Sequence, residues 1–114
     1  PVEADVLIDV RFLPNPFWDP QMRQLTGNDA MVRDFVLEHP VTQDFLVAWK
    51  NLLDVVVPGY TAEGKSRVSI AIGCTGGQHR SVAIANVTAE YLELCGYHVA
   101  ASHRDLMLAN VRND

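Results

Sequence analysis

Three short runs along the chain alternate between apolar and polar positions, and the segments between them repeat at helical spacing. Val6-Leu7-Ile8-Asp9-Val10-Arg11-Phe12 sets Val6, Ile8, Val10 and Phe12 on one face and Leu7, Asp9 and Arg11 on the other, which predicts a first strand. Arg67-Val68-Ser69-Ile70-Ala71-Ile72 is β-branched and alternating and predicts a second; Tyr97 to Ser102 predicts a short third. Val32, Phe35 and Val36 predict a short helix capped by Asn28 or Asp29 and stopped at His39-Pro40. A longer helix is predicted from Val41 to Val56, with Phe45, Trp49, Leu52, Leu53 and Val56 on its buried side. Ile84, Val87, Tyr91 and Leu94 recur through a helix from Ser81 to about Cys95, which Gly96 stops as the C′ residue. The tail from Leu106 to Asp114 predicts one or two helical turns. Helices between strands imply an α/β fold, a small parallel sheet covered by helices.

The loops are where chemistry gathers. Leu13-Pro14-Asn15-Pro16-Phe17-Trp18-Asp19-Pro20 is too rich in proline for a helix or central strand. It is a stiff loop in which Asn15 is the candidate ligand donor and Phe17 and Trp18 cover the core. Asp9 and Arg11 either pair, reach a site at the strand's end, or face solvent on an edge strand. Between the second strand and its helix runs Gly73-Cys74-Thr75-Gly76-Gly77-Gln78-His79-Arg80-Ser81. Two adjacent glycines let the backbone approach a ligand closely, and the first amides of the helix favour an anion. A phosphate is expected on the amides from Thr75 through Gly76, Gly77 and His79 to Ser81, with the Arg80 fork closing the ring. In parallel sheets ligands sit beyond the carboxyl ends of the strands, and the proline-rich loop, the glycine loop and His103-Arg104 all fall there.

Other chemistries fit parts of this pattern. Cys74 and Arg80 stand six residues apart, as in the signature loop of cysteine-dependent phosphatases, with Cys74 as thiolate nucleophile and Asp19 as general acid. Gly73 departs from that family, which has a histidine there. A purely structural turn with Cys74 as a small buried hydrophobe is the third alternative. Gly59-Tyr60-Thr61-Ala62-Glu63-Gly64-Lys65-Ser66 spells the Walker A pattern. However, a helix ending at Pro58 precedes it and a strand follows, the reverse of a working P-loop, so it is expected to be an exposed turn. No Cys or His pair falls at metal-ligand spacing within a shared loop, so no metal is expected. His39 and His98 are expected to be structural or solvated, and Cys95 to lie in the core.

Composition narrows the setting. The chain has 114 residues, 48% of them hydrophobic, which fits a single domain with one core. A net charge of −5 with only Lys50 and Lys65 beside seven arginines is a poor footprint for non-specific nucleic-acid binding, although a local arginine patch stays open. No apolar run approaches the ~20 residues of a membrane span, and nothing at the start resembles a signal peptide. Cys74 and Cys95, roughly 20 Å apart along the predicted helix, are too distant for a disulfide, and a reducing, cytoplasmic setting is expected. A chain beginning at Pro1 is expected to be processed or cut from a longer protein.

Asp9-Val10-Arg11-Phe12-Leu13-Pro14-Asn15-Pro16, then Leu25-Thr26-Gly27, then Ala71-Ile72-Gly73-Cys74-Thr75-Gly76-Gly77 with His79-Arg80-Ser81-Val82, and finally His103-Arg104-Asp105-Leu106 resemble the C-terminal domain of the RapZ/YvcJ family. These are bacterial nucleotide-binding proteins that include an RNase adapter. The resemblance implies a fold akin to a phosphofructokinase subdomain, homo-oligomerisation, and a pocket sensing an aminosugar phosphate such as glucosamine-6-phosphate. It also implies binding of structured RNA, with Arg104 as the contact carried over. No cofactor is implied for this domain; ATP or GTP belongs to a Walker-type domain that precedes it in the family. The pocket would use Asp9, Arg11, Asn15, Cys74, Thr75, Gly76, His79 and Arg80. Two features depart from the family: Phe17 stands where its loop usually has a pocket histidine, and the lysine-rich tail is replaced by Val111-Arg112-Asn113-Asp114.

Overall fold

In the computed structural model, residues 4–73, 79–102 and 106–112 are described, with side chains for 4–73 and 79–99. Strand β1 (Val6–Asp9) leads through a single 3-10 turn (Pro16–Trp18) to helices α1 (Ala30–Leu37) and α2 (Pro40–Ala62). Strand β2 (Arg67–Gly73), helix α3 (Arg80–Leu94) and strands β3 (His98–Ser102) and β4 (Leu106–Arg112) follow. The sheet order is β1-β2-β4-β3. β1 pairs in parallel with β2, from Val6 beside Ile70 to Asp9 beside Gly73. β4 runs antiparallel to both neighbours, with Leu106 beside Gly73 and Arg112 beside His98. The three expected strands therefore all point the same way, as an α/β fold requires, and the chain's tail is threaded between two of them. That tail is a strand rather than the helical turns expected of it. Its pairing along the whole of β2 satisfies backbone groups that isolated turns would leave to water.

The helices pack through one face each, though not always the expected one. On α2 the buried residues are Thr42, Leu46, Trp49, Leu53 and Val57, whereas Leu52 is 46% exposed. The Trp49 indole N–H donates to the Thr88 hydroxyl of α3 at 2.9 Å, and that hydroxyl donates onward to the Ile84 carbonyl at 2.7 Å. Trp49 thereby fixes how α2 meets α3, and its buried donor is satisfied. In α3 every residue from Arg80 to Ala85 is buried, as are Thr88 and Leu92, while Leu94 and Cys95 are exposed. Cys95, expected in the core, lies instead at the cap beyond the last turn.

Both long helices stop by the same device. Gly96 has φ +98°, Gly96 N–H donates to the Glu93 carbonyl, and Tyr97 N–H donates to Leu92. Gly64 has φ +96°, its N–H reaches Thr61, and Lys65 N–H reaches Tyr60. These are Schellman caps, in which a left-handed residue satisfies the last carbonyls. The Walker-like segment is thus the end of α2. The helix runs through Pro58 to Ala62 rather than ending at Pro58, with Pro58 on its exposed side. Gly64 is the cap, and the Lys65 ammonium pairs with Asp5 at 3.2 Å.

Candidate functional site

β1 ends at Asp9, before the alternation seen in the sequence runs out, and the chain turns at once. Val10 is fully buried and its N–H donates to the Gly73 carbonyl at 2.8 Å, while Phe12 is 56% exposed. The expected core face therefore stops at Val10, and Phe12 belongs to the surface. Past the turn, Leu13 and Pro16 are buried and anchor the proline-rich loop. Asn15 caps the 3-10 turn, its Oδ1 accepting the Phe17 N–H at 3.0 Å. Phe17 and Trp18 are 46% and 76% exposed, so they do not cover the core. Arg23 lies over the Phe17 ring at 5.0 Å and donates from Nε to the Phe17 carbonyl at 3.0 Å.

Arg80 ties this loop to the start of α3. It is 4% exposed, and its Nη1 donates to the carbonyls of Arg11 and, at 3.2 Å, of Leu13. Its Nε is buried and meets no acceptor among the described residues. His79 is 5% exposed and Ser81 fully buried; His79 stands at the N-cap of α3 without a side-chain bond to the helix amides. So the β1 loop and the first turn of α3 do meet, as expected, and one arm of the guanidinium is committed to holding them together. Cys74, Thr75, Gly76, Gly77 and Gln78, and likewise Arg104, lie outside the described residues. The strand ends flanking them, Gly73, Ser102 and Leu106, share one edge of the sheet with Asp9.

Asp9 and Arg11 form the open side. The Asp9 carboxylate accepts the Arg11 backbone N–H at 2.9 Å and its Nε at 2.7 Å, with both side chains more than half exposed. The backbone N–H of Arg11 above all, then its side chain and the charges of Arg11 and Arg80, holds the Asp9 carboxyl below its ordinary value. Beside the pair is a cleft of about 530 Å³ that Asp9, Arg11 and Phe12 line. Phe12 meets Phe45 edge-on at 5.5 Å, and Phe45 stacks on Trp49 at 5.8 Å, so the cleft wall is braced by the core. The Asp19 carboxylate, the candidate general acid, accepts the Gln21 N–H at 2.8 Å and holds a turn.

Sequence reasoning missed one positioning residue. A Cβ on Gly27 would lie 2.5 Å from both the Ala83 nitrogen and the His79 carbonyl oxygen. Only glycine lets this loop rest directly on the backbone of the first turn of α3. Thr26 N–H bonds Asp29 Oδ2 at 2.8 Å, and Asn86 of α3 bonds Asn28 at 2.8 Å, which locks the contact. The signal was present in Leu25-Thr26-Gly27, a stretch too short to mean anything until α3 is seen beside it.

The family model for the RapZ C-terminal domain matches residues 1–107. A nucleotide-binding protein of Syntrophomonas wolfei is 56% identical over 106 residues, 93% of this chain and 36% of that protein. Nucleotide-binding proteins of Trichlorobacter lovleyi and Limosilactobacillus reuteri are 53% and 51% identical over the same length, 93% of this chain and 37% of each. The chain thus spans little more than a third of the length of these curated relatives. Among the described residues no helix is long and apolar enough to cross a membrane.

Proposed function

The chain belongs to the RapZ C-terminal domain family, and on that premise we propose that it is the ligand-sensing part of a nucleotide-binding regulatory protein. It holds a phosphorylated small molecule between the β1 loop and the start of α3. The observation that carries this reading is the Arg80 Nε–H, buried without an acceptor among the described residues at the first turn of a helix. Such an orphan donor costs roughly 1–3 kcal/mol. A phosphate beside it removes that cost and gains from the helix dipole. An aminosugar phosphate such as glucosamine-6-phosphate suits the rest of the site, with its phosphate on the amides before Ser81 and its ammonium or hydroxyls at Asp9 or Asn15. ATP or GTP binding is assigned to the part of the relatives that this chain does not cover. Structured RNA and further copies of the chain are its macromolecular partners, in the cytoplasm.

Calorimetry with glucosamine-6-phosphate, inorganic phosphate and glucosamine tests the site. Heat is expected with the sugar phosphate, less with phosphate and none with glucosamine. Arg11→Gln, at an exposed position, is expected to weaken binding roughly tenfold, about 1.4 kcal/mol. No heat with either phosphate, or unchanged affinity in a folded Arg80→Lys variant, overturns the reading. Turnover of an aryl phosphate that Cys74→Ser abolishes would replace it with a phosphatase. For RNA, the expected result is a mobility shift that salt weakens.

A further inference from the structure

Helix α2 carries two apolar stripes, and the fold uses one. Beside the buried residues, Val41, Phe45, Ala48, Leu52, Val55 and Gly59 recur at spacings of four, three, four, three and four. That is the a/d rhythm of a helix that pairs with another helix. The stripe faces outward: Val41, Leu52 and Val55 are 44%, 46% and 72% exposed, Ala48 and Gly59 are exposed, and only Phe45 is half-buried. A Cβ on Gly59 would meet nothing within 4 Å. Between Asp44 and Glu63 the helix has two charges, Lys50 and Asp54. Both turn to Tyr91 on α3, Lys50 over its ring at 5.3 Å and Asp54 accepting its hydroxyl. The stripe is therefore apolar and free of charge on a chain of net charge −5.

We propose that this stripe pairs with the same stripe of a second copy of the chain, the two α2 helices running antiparallel about a two-fold axis beside Asn51. The sequence is self-complementary in that register alone. Antiparallel pairing sets a positions against d positions, so Phe45 of one copy meets Val55 of the other, Leu52 meets Ala48, and Val41 meets Gly59. Every layer sets a bulkier residue against a smaller one. Parallel pairing stacks Phe45 on Phe45 and leaves a hole between two Gly59 residues. Along the open flank, Asp44 falls opposite Pro58 and Asn51 opposite Asn51, so no carboxylate faces its like. The stripe runs about 27 Å along a helix roughly 10 Å wide. That footprint is below the ~800 Å² per partner of a stable interface, so the dimer is a weak one that concentration controls. The pairing names the surface for the self-association in the preceding reading and needs no ligand, so each can fail while the other stands.

Sedimentation velocity of the whole chain from micromolar to millimolar concentration is expected to show a monomer–dimer equilibrium. Leu52→Lys, at an exposed position with its fold checked by circular dichroism, is expected to weaken the dimer at least tenfold, as is Val55→Glu should the lysine disturb folding. Asn51→Lys and Asn51→Asp each weaken it alone by setting like charges across the axis, and an equimolar mixture restores it. A monomer at every concentration, a dimer indifferent to the stripe variants, or a mixture no stronger than its components overturns the proposal.

Discussion

Gly27→Ala tests how the loop before α1 docks on α3. The added methyl carbon would fall 2.5 Å from the Ala83 nitrogen and the His79 oxygen and 2.9 Å from Val82 Cβ, where ordinary contact begins at 3.4 Å. Loop and helix must therefore part by about 0.9 Å, and close-packed surroundings do not absorb that freely. Neither nearer obstacle can rotate aside, because the Ala83 N–H and the His79 carbonyl are bonded to each other at 3.1 Å within the helix. Overpacking of this kind costs about 1–3 kcal/mol. Gly27 does not have a positive φ, so alanine itself is unstrained and recovers about 0.4–1 kcal/mol through the unfolded chain. The net expectation is a loss of about 1–2 kcal/mol, lowering Tm by roughly 4–8 °C. Thermal melting followed by circular dichroism measures it, and a urea titration with unchanged slope shows that stability alone has moved. Because the displaced turn carries His79 and Arg80, phosphate affinity should fall with it. A Tm equal to or above that of the parent would refute the close approach.

Three further expectations follow from named contacts. The Asp9 carboxyl should titrate below 3.8 by carbon NMR, and whatever it adds to stability is present above that pH and lost as pH falls through its lowered value. Arg11→Ala removes the side chain but keeps the backbone N–H that is the largest cause, so the midpoint should rise only part of the way; full recovery would count against that cause. Thr88→Val strands the buried Trp49 indole N–H and should cost about 1–3 kcal/mol in urea unfolding. Thr88→Ser keeps the acceptor and should cost about 0.8 kcal/mol, so equal losses would show that the bond is not formed. Gly96→Ala puts a side chain at φ +98° with open space around it, so a purely backbone penalty of about 1–2 kcal/mol is expected, and a stabilised variant would contradict the cap.

What the sequence made legible was local or punctuated. β2 is β-branched and alternating, α3 is closed by Gly96, and the parallel sense of β1, β2 and β3 follows from the helices between them. The misses share a cause, which is tertiary choice among locally equivalent options. Leu106-Met107-Leu108-Ala109 is built of good helix formers, and only the free edge of β2 makes it a strand. On α2 two apolar stripes lie side by side, so periodicity alone could not say which one faces inward. At the site, the meeting of the β1 loop with the start of α3 was expected from topology. The burial of Arg80 and its grip on the Arg11 and Leu13 carbonyls depend on the path of a proline-rich loop, which no spacing rule encodes.

The position of β4 constrains the order in which this fold can be completed. It is the last of the four described strands in sequence yet lies inside the sheet, the neighbour of both β2 and β3. A nascent chain that has reached Ser102 holds β1 against β2, leaves the other edge of β2 bare, and gives β3 nothing to bond. Bare strand edges recruit other chains, so synthesis that stalls or is cut short just before Leu106 releases a species prone to aggregate.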